Sequence, residues 1–191
     1  EANSLGVTDF GENKAQELRD KHEILGDKVA WHFIGTLQRN KVKYAVKAAT
    51  YIHSVDSLIL ADEINTQALK LNKVQKILLE VNTSLEDSKS GLIDTAQVFD
   101  LAKHCSTLSN IELVGLMTMA PFTVDEDRIR KSFSDLRKLK DEINKNGFKL
   151  SELSMGMTND YEIAIEEGAT MLRIGSAIFG QRDITKDWRQ S

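Results

Sequence analysis

The sequence predicts an α/β chain with a mainly parallel sheet, and three observations carry that expectation. Short apolar or alternating runs recur seven times along the 191 residues, segments of helical periodicity lie between them, and turn-forming or capping residues stand at the joins. Each helix then carries the chain back to begin another strand in the same direction, which is what parallel pairing requires.

The seven runs are VTDF (7–10), VAWHFIG (29–35), YIHSVD (51–56), KILLEVN (76–82), IELVGLMTM (111–119), KLSELSMG (149–156) and TMLRIGS (170–176). After the third run, Leu60, Ala61, Ile64, Ala68 and Leu71 make an apolar stripe at helical spacing. Val98, Leu101, Ala102 and Cys105 share a second such face, and Ile129, Phe133, Leu136 and Ile143 a third. Asp56 or Ser57, and Thr158 or Asn159, suit helix N-caps, while Gly147 and Gly168 suit helix ends. The one proline, Pro121, follows the fifth run. With no linker, low-complexity tract or short-period repeat, residues 1–191 read as one domain. Seven strands fit a doubly wound sheet. They also fit a barrel, which normally closes with eight and would place one strand and helix ahead of Glu1. Periodicity alone does not choose between these architectures.

Composition narrows the function. The 41% hydrophobic content supports one substantial core. Lys and Arg number 25 against 29 Asp and Glu, with the signs interspersed, so there is no basic surplus for binding a nucleic acid backbone. Cys105 is the one cysteine, reads as a core thiol, and is consistent with a reducing compartment. No apolar run reaches the ~18 residues of a membrane span, and EANSLGVTDFGEN lacks the pattern of a signal peptide. A cytoplasmic protein without membrane partners is expected.

The chemistry concentrates at the ends of the last two runs. SMGMTND (154–160) and RIGSAIFG (173–180) each place small residues before an expected helix, where backbone amides suit a phosphate. Gly175 and Ser176 can supply amides, and Ser154, Ser176 or Thr158 a hydroxyl; ordinary turns are the alternative. Alternation puts Met171, Arg173 and Gly175 on one face of the last strand. If that face points inward, Arg173 needs an acceptor, either a ligand ring nitrogen or a protein carboxylate. His32, between Trp31 and Phe33, reads either as a satisfied core imidazole or as a pocket residue. Lys89 reads as a solvated loop lysine, and Asp94 and Glu112 as surface charges. Zinc-type spacings, a GxxxxGK[ST] loop and a GxSxG elbow are all absent.

These motifs give the chain a close resemblance to the pyridoxal phosphate homeostasis protein family. It is carried by FGENKAQEL (10–18), WHFIGTLQRNK (31–41), HSVDS (53–57), EVNTSLEDSKSG (80–91), GLMTMAP (115–121), LSMGMTND (153–160) and RIGSAIFGQRD (173–183). The resemblance implies a TIM-type (βα)8 barrel of the alanine racemase N-domain type, with pyridoxal 5′-phosphate at the carboxyl ends of the strands. It implies that Arg173 faces the pyridine nitrogen, and that Ser154 with the Gly175 and Ser176 amides holds the phosphate. Asn13, His32, Met155 and Thr158 are implied to line or support the pocket.

In the same family a Schiff-base lysine in an SKT/KP-type segment at the end of the first strand precedes FGEN. No such segment stands here, so that strand, its preceding helix and the lysine are expected upstream of Glu1. Lys14 is expected to be exposed rather than a substitute for it. The resemblance implies a carrier or regulator in intracellular pyridoxal phosphate homeostasis, affecting amino-acid and keto-acid balance and passing cofactor to dependent apo-enzymes. Two alternatives stand beside it: a weak pyridoxal phosphate-dependent racemase or transaminase, and a cofactor-free scaffold built on the barrel. No catalytic residue and no metal site are assigned.

Overall fold

The computed structural model describes residues 2–84, 86 and 90–180, so the reading of Lys89 lies outside the described residues. Seven strands form one sheet: β1 (Asp9–Glu12), β2 (Ala30–Phe33), β3 (Tyr51–Val55), β4 (Gln75–Glu80), β5 (Ile111–Met117), β6 (Glu152–Met157) and β7 (Met171–Arg173). Every neighbouring pair is parallel, and the strands lie side by side in chain order from β1 to β7. A doubly wound sheet reverses its strand order at a switch point. This sheet never reverses, so it is a nearly closed barrel of the TIM type. Among the described residues, β1 and β7 are its two unpaired edges.

The expected strands are all present, with shifted ends. The first moves from 7–10 to Asp9–Glu12, because its register against β2 starts at Asp9 opposite Ala30 and ends at Glu12 opposite Phe33. Helices α1 (Ala15–Leu25), α2 (Val42–Ala48), α3 (Leu58–Lys70), α4 (Thr95–Ser106), α5 (Glu126–Lys145), α6 (Tyr161–Glu166) and α7 (Ser176–Phe179) follow the strands in turn.

Alternation divides each strand between two environments. Outward-facing Phe33, Ile52, Ile77, Leu79, Leu116, Leu153 and Met155 join Ala61, Ile64, Leu101, Phe133 and Leu136 of the helices in the main core. Inside the barrel lies a smaller apolar group of Leu78, Val114 and Met117, with Tyr51 and Met119 against it. The stripe on α3 is buried except for Leu71, which stands one residue past the helix and is half exposed. Cys105 is buried on α4, and its thiol is pushed up to about 12, first by burial.

Helix boundaries follow local chemistry. The Asp125 carboxylate accepts from the Asp127 and Arg128 amides at the start of α5. Asp94, expected to be simple surface charge, accepts from the Ala96 amide and caps α4. Gly147 and Gly168 end α5 and α6 with φ of +94° and +89°, as their positions predict. The cap of α6 is Asp160 rather than Thr158 or Asn159. At the β1–β2 end, a side chain on Gly35 would put its Cβ 2.2 Å from the Asn13 carbonyl oxygen. Only glycine lets the FGEN and WHFIG segments approach so closely.

Candidate functional site

Polar residues occupy inward positions on strands from both halves of the barrel, and they touch one another. The Asp9 Oδ1 of β1 lies 3.1 Å from His32 Nε2 of β2. His32 Nδ1 lies 2.9 Å from His53 Nε2 of β3. His53 Nδ1 lies 2.8 Å from the Ser154 Oγ of β6. Arg173, the last residue of β7, donates from Nη1 to Ser154 Oγ at 2.7 Å and from Nη2 to the Thr118 carbonyl at 2.8 Å. The Tyr51 ring stacks on His32, with centroids 4.7 Å apart and planes 13° apart. A barrel interior is the one place where strands so distant in sequence present side chains to a common volume.

Burial sets the charge states. His32 and His53 are 8% and 1% exposed, and desolvation holds both imidazoles below their usual range. For His53 the neighbouring His32 and Arg173 reinforce the effect; for His32 the bond to Asp9 opposes it. Asp9 itself is lowered, chiefly by a hydrogen bond from Thr8 and also by His32. Burial brings Arg173 down to about 10, against the pull of Asp160 and Glu80, so it remains a cation at neutral pH. Glu80 is buried at the end of β4, accepts from Ser90 Oγ at 2.7 Å, and is raised by desolvation.

A cavity of about 2120 Å³ opens over these residues and runs out through the gap between β1 and β7. Asn13, His32, Thr158, Arg173, Gly175 and Ser176 all line it, so six of the eight expected site residues converge on one volume. The other two do not line it. Met155 points outward and is fully buried in the main core, because it alternates with inward-facing Ser154. Ser154 points inward but is fully buried, its hydroxyl held between Arg173 and His53. Ser154, expected at the phosphate, thus bonds Arg173 and His53 here, while Thr158 and Ser176 line the cavity. Within the protein, the bonded acceptors of Arg173 are a hydroxyl and a carbonyl, and among the described residues no carboxylate is in direct contact with it.

Sequence reasoning missed Asp9 and His53. The signal was present, since Tyr51 and His53 share a strand face just as Asp9 and Gly11 do, but nothing in the chain alone aligns those faces with His32. Lys14 reaches the cavity wall while its Nζ pairs with Glu17 at 3.1 Å and is largely exposed.

The arrangement offers a cation deep in the cavity and neutral donors at Asn13, Thr158 and Ser176. Amides at the start of α7 have no carbonyl partner within that helix. Such a set suits a flat ligand with an acceptor at one end and an anionic group at the other. Among the described residues no group of His, Cys, Asp and Glu is arranged to hold a metal, and no helix is long and apolar enough to cross a membrane.

Comparisons with known proteins agree with this fold. The family described as alanine racemase, N-terminal domain, matches residues 1–183. A pyridoxal phosphate homeostasis protein of Aquifex aeolicus is 44% identical over 181 residues, covering 94% of this chain and 79% of the relative. A Bifidobacterium adolescentis protein of unknown function, solved by crystallography, superposes with a TM-score of 0.87 at 41% identity, over 93% of this chain and 78% of its own. PipY of Synechococcus elongatus, solved with pyridoxal phosphate bound, gives a TM-score of 0.85 at 33% identity, over 94% of this chain and 84% of its own.

Proposed function

We propose, from the premise that the chain belongs to the alanine racemase N-terminal domain family and groups there with the pyridoxal phosphate homeostasis proteins, that it binds pyridoxal 5′-phosphate and serves its homeostasis. The observation that carries this reading is Arg173, a cation sunk in the barrel on neutral acceptors at the inner end of the cavity. The residues fit the cofactor. Arg173 would face the pyridine nitrogen, the Gly175 and Ser176 amides with the Ser176 and Thr158 hydroxyls would hold the phosphate, and Asn13 and His32 would flank the ring.

Bound pyridoxal phosphate supplies a reactive aldehyde and an electron-withdrawing ring. This chain's own residues bias its use. Arg173 has only donors to offer and keeps its proton at neutral pH, so it hydrogen-bonds an unprotonated ring nitrogen instead of charging it. An uncharged ring is a weak electron sink, which favours holding the cofactor over carbanion chemistry. We therefore read the chain as one cytoplasmic cofactor-holding unit that passes pyridoxal phosphate to dependent apo-enzymes, rather than as a racemase or transaminase.

Equilibrium dialysis against pyridoxal phosphate tests binding, and reactivation of an apo-aminotransferase by the loaded protein tests delivery. Saturable one-to-one uptake is expected, falling more than tenfold in Arg173→Glu. Absence of saturable uptake overturns the reading, and steady racemisation or transamination of free amino acids by the protein alone transfers it to the enzyme alternative.

A further inference from the structure

The contacts across the barrel have a direction as well as a length. A guanidinium can only donate, and an ionised carboxylate can only accept. With Arg173 at one end, Asp9 at the other and both buried imidazoles neutral, every proton between them is determined. Asp9 Oδ1 requires a donor, so His32 carries its proton on Nε2. The bare His32 Nδ1 must then accept, so His53 also carries its proton on Nε2. The bare His53 Nδ1 in turn accepts from the Ser154 hydroxyl, whose oxygen receives the proton of Arg173 Nη1. Four hydrogen bonds run one way, from Arg173 to Asp9, and no donor meets a donor.

We propose that Asp9, His32, His53 and Ser154 form a one-way hydrogen-bond relay that positions Arg173, and that its two inner bonds, His32–His53 and His53–Ser154, reverse together on taking up one proton. The balance is simple. One proton enters from solvent and comes to rest on His32, the imidazole beside a carboxylate. His32 then donates from both nitrogens, from Nε2 to Asp9 and from Nδ1 to His53 Nε2. The His53 proton is now on Nδ1 and points at Ser154 Oγ, which becomes an acceptor from both His53 and Arg173. Ser154 keeps its hydroxyl proton, which turns away from His53. Asp9, His32 and His53 act through Ser154 on Arg173, so they are positioning residues.

The groups facing the imidazoles decide where the added charge goes. His53 has Arg173 from β7 on one side and His32 on the other, both of which oppose charging it. His32 has Asp9 from β1, and the Tyr51 ring stacked on it; the Lys76 Nζ lies over the Tyr51 ring, 5.4 Å from its centroid. Glu80 and Asp160 act on Arg173 from β4 and from the start of α6. The carboxylate in direct contact with an imidazole of the pair is Asp9, which selects His32.

The relay is built from residues of this chain alone, and only its meaning for a bound cofactor rests on the reading above. Long-range proton–nitrogen NMR of histidine-labelled protein, without pyridoxal phosphate, tests it. At neutral pH both rings are expected as Nε2–H tautomers. On acidification a single midpoint is expected, at which His32 gains its Nδ1 proton while His53 moves its proton from Nε2 to Nδ1. Asp9 is half-exposed or more, so Asp9→Asn should fold, and it should lower that midpoint by about 1 pH unit by removing the charge beside His32. Without the relay, His32 would titrate alone and the His53 proton would stay on Nε2. A proton on His53 Nδ1 at neutral pH, separate midpoints for the two rings, or an unmoved midpoint in Asp9→Asn would each overturn the proposal. Failure of cofactor uptake with these signatures intact would leave the relay standing and remove only the functional reading.

Discussion

Lowering the pH from 8 to 5.5 should destabilise this protein through His32 and His53, by at most about 3 kcal/mol if both imidazoles stay neutral in the fold. Both are held neutral in the fold, first by burial. In the unfolded chain each titrates near the ordinary value of about 6.5. A group whose folded pKa is depressed is protonated in the unfolded state first, so the unfolded state binds more protons and stability falls with falling pH. At one unit below the unfolded pKa, each imidazole that remains neutral contributes about 1.4 kcal/mol to that fall. If His32 takes up a proton within the window, its share shrinks and the total moves toward half. Asp9, depressed in the fold, acts in the same direction but only at lower pH; Glu80, raised in the fold, acts in the opposite one. The assay is urea unfolding at pH 8, 7, 6 and 5.5, comparing the protein with a His32→Gln, His53→Gln double variant to remove every other titrating group. The midpoint should fall with pH in the protein, with an unchanged slope, and more shallowly in the variant. A stability that is flat or rises between pH 8 and 5.5, after subtracting the variant, refutes the assignment of two neutral buried imidazoles.

Three further outcomes follow from the packing. Gly35→Ala, whose Cβ would lie 2.2 Å from the Asn13 carbonyl oxygen, should cost about 1–3 kcal/mol and lower pyridoxal phosphate uptake with it, checked by thermal melting and dialysis; an unaltered melting temperature would show that the two segments can part freely. Phe133→Ala empties a fully buried position on α5 and should cost about 3–5 kcal/mol by chemical unfolding, a loss under 1 kcal/mol being incompatible with that burial. Cys105, buried with its thiol pushed up to about 12, should resist a thiol-specific dye at pH 8 until the chain is unfolded, and rapid labelling of the native protein would contradict its place in the core.

The class of fold was legible because period-two and period-3.6 patterns survive in the chain without help from tertiary structure. The stripes on α3 and α5 and the glycines ending α5 and α6 are local facts, written in the spacing of the residues themselves. What escaped were the decisions made by neighbours. The start of β1 is fixed by the residue of β2 that it faces, and Val7 has no such partner in the ladder. Leu71 continues the α3 stripe by spacing, yet the helix ends at Lys70 and leaves it half exposed. Asp94 is one acid among many until the Ala96 amide, freed by the start of α4, needs an acceptor.

The site shows the same division more sharply. Arg173 was identifiable because a charge on an alternating strand demands a partner, and the Gly175–Ser176 turn because small residues precede a helix. Ser154 and Met155 were placed together in the pocket, yet adjacent residues of one strand cannot face the same side. Ser154 then falls behind Arg173, and this explains how a buried arginine keeps a fixed position without a carboxylate in contact. Its anchor is a hydroxyl made an obligatory acceptor by His53, which is held by His32, which is held by Asp9. Each contact joins strands far apart in the chain, so no window of sequence contains it. A carboxylate placed directly on Arg173 would neutralise its field toward the cavity; a neutral acceptor with the negative charge displaced to the far end of a relay leaves the cation facing the cavity.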